Sequence, residues 1–239
     1  MNLIADIGNT ATKLALFEGK EKVSVSRIRD LNCMELEAFI SDRTIKRAIV
    51  STVKILPPFV SGILVNNVPE VHFLSSGSKL PFSIEYHTPE TLGTDRIAAV
   101  AGAYEIYPGK NVLIIDAGTA ITYDFLSGRS FRGGNISPGI SMRFKALNKF
   151  TGLLPMINSP GEYSQMGQST EEAITSGVMS GVIFEINEYI RTFLEKDPDL
   201  KVILSGGDGE MLSRKINHAA KYIPDLVIDG LNYILEYNA

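Results

Sequence analysis

Short apolar runs broken by glycine, asparagine and charged residues organise the first half of the chain. Residues 2–7 and 12–17 read as two strands joined by a turn at Gly8-Asn9-Thr10, and Glu18-Gly19-Lys20 turns into a third. Cys33 to Ile40 then has helical spacing with Asn32 in the N-cap position. Arg47-Ala48-Ile49-Val50-Ser51-Thr52-Val53 resembles a buried strand with hydroxyls at its end. Val71-His72-Phe73-Leu74 predicts a short strand, and Pro81 to Pro89 an extended, proline-punctuated segment. A helix rich in small residues is predicted to begin near Gly93 or Thr94 and to run past Tyr104. Helix and strand alternate, as α/β folds require.

The second half repeats the opening. Leu3-Ile4-Ala5-Asp6-Ile7-Gly8-Asn9-Thr10-Ala11-Thr12 and Leu113-Ile114-Ile115-Asp116-Ala117-Gly118-Thr119-Ala120-Ile121-Thr122 both place an apolar run ahead of Asp-x-Gly and hydroxyl residues, 110 positions apart. Val112 to Asp116, Ile121 to Leu126 and a third segment ending near Gly134 reproduce the meander. Helices are expected at Ser141 to Phe150, Thr170 to Leu194, Gly209 to His218 and Val227 to Leu235, with a strand at Lys201 to Ser205. That strand corresponds to the one at 47 to 51, so the repeat extends beyond its first meander. Two domains are expected, 1–110 and 111–239, each long enough to bury a core.

Composition narrows the partners. With 44% hydrophobic and 21% charged residues the chain reads as an ordinary globular protein, and a net charge of −4 argues against binding nucleic acid through phosphate neutralisation. A single cysteine, Cys33, excludes an intramolecular disulfide framework. The first residues lack the basic region of a secretory signal, and no uncharged apolar run approaches a membrane span, so a cytoplasmic location is expected. His72, His87 and His218 have no spacing suited to zinc.

The paired Asp-x-Gly turns carry the clearest chemistry. A strand ending in Asp, followed by glycine and threonine, lets backbone N–H groups and a hydroxyl approach a phosphate while the carboxylate holds its cation. A single copy also fits an ordinary capped turn; two copies favour a phosphate site. Lys13 can add positive charge. Gly93-Thr94-Asp95-Arg96 sets a carboxylate and a guanidinium in the first turn of a helix. They can form a surface ion pair, or Asp95 can take a proton from a substrate hydroxyl while Arg96 holds substrate oxygens. Ser205-Gly206-Gly207-Asp208-Gly209, between a strand and a helix, suits a tight turn or close approach by a base or ribose.

Together, in this order, the segments resemble the type III pantothenate kinases of the acetate kinase, sugar kinase, Hsp70 and actin superfamily. Asp6-Ile7-Gly8-Asn9-Thr10 is similar to the first phosphate motif, Gly93-Thr94-Asp95-Arg96 to the pantothenate motif and Asp116-Ala117-Gly118-Thr119-Ala120 to the second phosphate motif. Gly133-Gly134-Asn135-Ile136-Ser137-Pro138-Gly139 resembles the loop at the dimer interface and substrate side. The motif more often has alanine where Thr94 stands.

The resemblance implies two duplicated α/β domains of the ribonuclease H-like, actin-like ATPase type. Each is a mixed sheet flanked by helices, with a nucleotide cleft between them. It implies transfer of the ATP γ-phosphoryl to pantothenate, with Asp95 as general base. Asp6, Ile7, Gly8, Asn9, Thr10, Ala11, Thr12, Lys13 and Thr119 would bind ATP. Tyr86, Gly93, Thr94, Asp95, Arg96 and Thr170 would bind pantothenate. Asp116 would hold a monovalent cation, K+ or NH4+, and Asp6 would face the Mg2+ that accompanies ATP. A homodimer with a shared substrate site is expected, with no nucleic acid or membrane partner. The alternatives are a kinase of the same superfamily acting on another small molecule and a non-catalytic regulator of the Bvg accessory factor type.

Overall fold

A computed structural model describes residues 1–158 and 160–239. The elements run β1 Asn2–Ile7, β2 Thr12–Glu18, β3 Glu21–Ile28, α1 Cys33–Ile40, β4 Arg47–Thr52, α2 Pro58–Asn67, β5 Glu70–Phe73, β6 Ser83–Ile84 and α3 Thr94–Ile106. Then come β7 Val112–Ala117, β8 Ala120–Ser127, β9 Ser130–Pro138, α4 Ile140–Phe150, α5 Thr170–Leu194, β10 Lys201–Ser205, α6 Gly209–Ser213, β11 Lys221–Tyr222 and α7 Leu226–Tyr237. By packing, the chain forms two compact units. One comprises Met1–Lys110, Phe125–Gly133 and Asp225–Ala239, the other Asn111–Asp124 and Gly134–Pro224.

The first unit is built on a sheet of order β3-β2-β1-β4-β5. β1 pairs antiparallel with β2 and parallel with β4. Side chains alternate between the two faces, as strand geometry dictates. Leu3, Ala5, Ile7, Ala48 and Val50 turn to one face and pack with Leu36 and Ile40 of α1 and Val60 and Leu64 of α2. The alternate positions meet α3 and α7: Asn2 donates to Asn232 of α7 at 3.0 Å, and Ser51 is hydrogen-bonded to Thr94 of α3 at 3.0 Å. α3 is buried from Arg96 through Tyr104 because alanine and glycine let neighbours close on every side. Its contact with α7 is the tightest: a Cβ on Gly230 would lie 1.9 Å from the Ala98 carbonyl oxygen.

The other sheet has the order β11-β10-β7-β8-β9-β6. From β9 to β11 it repeats, strand for strand, the order of the first. β10 pairs parallel with β7 as β4 does with β1, placing Ser205 opposite Asp116 just as Ser51 stands opposite Asp6. In the second unit Tyr123 stacks on Tyr189 of α5 with centroids 4.0 Å apart and donates its hydroxyl to Glu185 at 2.8 Å. Arg143 of α4 donates to the same carboxylate at 2.5 Å. Burial and the adjacent Glu185 carboxylate both push the Tyr123 phenol up, which keeps it a proton donor.

Three elements depart from the sequence pattern. α2 begins at Pro58, whose missing N–H falls at a position that needs none, in a stretch where no element is expected. β6 is two residues long and exists through pairing with β9, not through its own composition. α6 ends at Ser213, short of the expected His218. Downstream, the Asn217 N–H is captured by the Asn187 side chain at 2.8 Å, which holds the chain on another course.

Candidate active site

On the first unit, β1 delivers Asp6 to the end of the sheet, level with Lys13 on β2 and Ser51 on β4. The turn that follows is closed by the Gly8 N–H donating to the Ala11 carbonyl at 3.1 Å. Asn9 and Thr10 are exposed at its tip, whereas Thr12 is buried as β2 begins. Lys13 Nζ lies 3.3 Å from Asp225, whose other oxygen is 3.0 Å from Lys22. The positive charge expected for phosphates is therefore already engaged by a carboxylate.

The first turn of α3 carries Thr94, Asp95 and Arg96. Gly93 precedes it with φ −57° and ψ 132°, ordinary angles for any residue. Its missing side chain has a use: a Cβ there would lie 2.5 Å from Asp95 Oδ1. That oxygen instead accepts the Arg96 N–H at 2.8 Å, and the helix N-terminus favours its charge. Burial pushes the half-buried Asp95 carboxyl above its ordinary value; the Arg96 N–H and the Arg96 charge pull it down without cancelling the shift. The result is a carboxylate made more basic, as a proton acceptor needs to be.

Arg96 is only 5% exposed. Its guanidinium lies 5.7 Å from the Tyr86 ring centroid and 5.8 Å from that of Phe131, within cation–π range of both. β6 makes this arrangement: Ile84 pairs with Phe131, and the Glu85 N–H donates to the Phe131 carbonyl at 2.9 Å, so Tyr86 follows directly from the ladder. Glu85 also accepts from Ser130 at 2.5 Å and from Arg132. Tyr86 and Arg96, named from the sequence, thus meet here, with Asp95 next to Arg96 in the chain. Phe131 is an addition that only long-range pairing reveals.

On the second unit, Asp116 is the penultimate residue of β7 and the Gly118 N–H donates to the Ala120 carbonyl at 3.0 Å, leaving Thr119 exposed. Two glycines close on this turn. A Cβ on Gly206, which has φ +87°, would lie 2.4 Å from both Asp116 Oδ1 and the Ala117 carbonyl oxygen. One on Gly139 would lie 2.3 Å from the Gly118 oxygen. The Asp208 N–H donates to the Ala117 carbonyl at 3.0 Å, and burial raises the Asp208 pKa. Thr170 stands exposed at the head of α5, whose N-cap Ser169 accepts the Glu172 N–H at 3.3 Å.

Among the described residues no three or more His, Cys, Asp or Glu side chains gather in a way that could hold a metal ion. Asp116 Oδ1 and the Ala117 carbonyl, both beside Gly206, are oxygen donors, the ligand class of a hard cation rather than of zinc.

A family model described as type III pantothenate kinase matches residues 2–192. A type III pantothenate kinase of Bacteroides fragilis is 45% identical over 240 residues, spanning 100% of this chain and 98% of that protein. One of Cytophaga hutchinsonii is 38% identical over 242 residues and is covered, like this chain, to 100%. Among solved structures, a Campylobacter jejuni protein named as a Baf family transcriptional activator has a TM-score of 0.61 and 26% identity, over 99% of this chain and 98% of its own. A 2-dehydro-3-deoxygalactonokinase protein of Sinorhizobium meliloti also reaches a TM-score of 0.61, at 11% identity, over 100% of this chain and 99% of its own. That likeness is one of fold, the duplicated ribonuclease H-like fold of actin-like ATPases and sugar kinases. On the full-length relatives and the family model together, the chain belongs to the type III pantothenate kinase family.

Proposed function

We propose that the chain transfers the γ-phosphoryl group of ATP to the primary hydroxyl of pantothenate, giving 4′-phosphopantothenate and ADP, the first step of coenzyme A biosynthesis. Asp95 carries the reading: a half-buried carboxylate of raised pKa in the first turn of α3, beside a buried guanidinium. As the hydroxyl oxygen attacks the γ-phosphorus, Asp95 takes its proton and the bond to the β-phosphate oxygen breaks. Arg96, within cation–π range of Tyr86 and Phe131, binds the acceptor together with Gly93, the main chain of Thr94, Tyr86 and Thr170. The turn from Asp6 to Lys13 and the hydroxyl of Thr119 cradle the phosphates.

Asp6 faces the divalent cation of the nucleotide, and Asp116 with its neighbouring carbonyls holds K+ or NH4+. Bound there, the cations neutralise phosphate charge. A homodimer with a shared acceptor site belongs to the same proposal. It is supported by the exposure of Ile136, Met142 and Phe184 on β9, α4 and α5. So does a cytoplasmic location, with which the absence, among the described residues, of any helix long and apolar enough to cross a membrane is consistent.

A Baf-type regulator without phosphoryl transfer has no use for a carboxylate tuned in this way, and the relatives at 45% and 38% identity are named as kinases. The test is ADP release with pantothenate, with and without K+. Pantothenate-dependent ADP is expected, and faster with K+; none under either condition refutes the assignment. Asp95→Asn is expected to lower kcat by about 10²- to 10⁴-fold while ATP binding stays close to that of the wild type.

A further inference from the structure

We propose that the Thr94 hydroxyl is a positioning latch that fixes the first turn of α3, and with it Asp95, to the end of β4 beside the Asp6 strand. The inference rests on the reading of Asp95 as the base. Thr94 Oγ1 makes three hydrogen bonds: it donates to the Thr52 carbonyl at 3.0 Å, accepts the Thr52 N–H at 3.1 Å, and pairs with Ser51 Oγ at 3.0 Å. A threonine hydroxyl has one proton and two lone pairs. With the proton on Thr52 and one lone pair taken by the Thr52 N–H, Ser51 supplies the third bond as donor, and no capacity is left for a ligand. Ser51 is fully buried, so this partner does not exchange with water.

The anchor lies where two motifs come level. Ser51 and Thr52 pair in register with Asp6 and Ile7 of β1, and the Val53 N–H donates to the Ile7 carbonyl at 3.3 Å. One hydroxyl therefore ties the turn that bears the base to the two strand ends that lead into the first phosphate turn. Thr94 serves the acceptor turn through its main chain, and its side chain acts on the sheet. Its loss is expected to misplace Asp95 without removing a substrate contact, a defect in kcat rather than in KM.

Thr94→Val removes the hydroxyl at nearly constant shape, and Thr94→Ser keeps it. In Thr94→Val, kcat is expected to fall about tenfold or more, with KM for ATP and pantothenate within about twofold of the wild type. Thr94→Ser is expected to restore kcat to within about threefold of the wild type. Independently of turnover, hydrogen exchange of the Thr52 amide is expected to quicken about tenfold in Thr94→Val and not in Thr94→Ser. A raised pantothenate KM at unchanged kcat makes Thr94 a substrate contact and overturns the latch, as does unaltered Thr52 exchange or faster exchange at unchanged kcat. If the wild type releases no pantothenate-dependent ADP, the base assignment fails while the exchange result still decides the latch. Should Thr94→Val not fold, Ser51→Ala removes one of the three bonds and is read in the same two ways.

Discussion

Substituting Gly93 with alanine separates the position of Asp95 from the stability of the fold. The backbone angles at Gly93, φ −57° and ψ 132°, suit alanine. The added Cβ, however, would lie 2.5 Å from Asp95 Oδ1, where ordinary contact begins at 3.4 Å. The carboxylate oxygen must therefore retreat by about 0.9 Å, the difference between those two distances, stretching its 2.8 Å bond from the Arg96 N–H. Reacting groups need to be held to within about 0.5 Å, and a displacement near 1 Å costs up to about 100-fold in rate. The expected fall in kcat is about 10- to 100-fold, or roughly 1.4 to 2.7 kcal/mol on the barrier.

Stability moves the other way. Alanine restricts the unfolded chain and contributes about 0.4 to 1 kcal/mol where its angles fit, so Tm is expected to hold or to rise by up to about 4 °C. ADP release at saturating ATP and pantothenate, with thermal melting of the same samples, measures both. A kcat within twofold of the wild type refutes the geometry. So does a Gly93→Ala/Asp95→Asn double variant slower than Asp95→Asn alone, because a substitution that works through Asp95 has nothing left to act on.

The raised pKa of Asp95 carries its own sign. In the folded protein the carboxyl keeps its proton to higher pH than in the unfolded chain, so the wild type loses stability as pH rises from near 3.8, the ordinary value, through the folded value. Asp95→Asn, which stays neutral, is expected to melt at the wild-type temperature below that window and above it at neutral pH; a lower Tm at neutral pH overturns this. Gly230→Ala drives a Cβ to 1.9 Å from the Ala98 carbonyl and 2.7 Å from the Gly102 nitrogen, main-chain atoms that no rotamer change relieves. It is expected to cost at least about 3 kcal/mol and to lower Tm by about 6 to 12 °C. Gly62→Ala on α2, where nothing lies within 4 Å of the new Cβ, is expected to be neutral or stabilising by up to about 1 kcal/mol. Similar melting of the two glycine variants would contradict the close α3–α7 contact.

Local rules made part of this protein readable from the chain. The strands of both meanders, the Asn32 cap of α1 and the limits of α5 at Thr170 and Leu194 depend on residues adjacent in sequence. The duplicated α/β architecture was legible for the same reason, because the two apolar runs and their turns recur in full. What stayed hidden needs partners far away. Phe131 reaches Arg96 only because β6 pairs with β9, and β6 has no strand composition of its own. The hydroxyls of Ser51 and Thr52 were visible at the end of β4, but the bonds of the Ser51 hydroxyl and the Thr52 main chain to Thr94 span more than 40 residues. Nor does the sequence near Lys13 reveal its ion pair with Asp225, over 200 positions on.

The repeated strand order also locates the difference between the two copies. Between the third and fourth strands the first copy has 18 residues, positions 29–46, which hold α1. The second has 62, positions 139–200, which hold α4 and α5. The 44 extra residues equal the change in spacing between matched landmarks: Asp6 and Asp116 stand 110 apart, Ser51 and Ser205 stand 154 apart. The whole difference in register between the two copies therefore lies between those strands. Met142, Phe150, Leu153, Met156, Met166 and Phe184, all exposed, lie within that stretch. The longer connection thus adds exposed apolar surface to the second copy, while the strand-end aspartate and serine keep the same pairing in both.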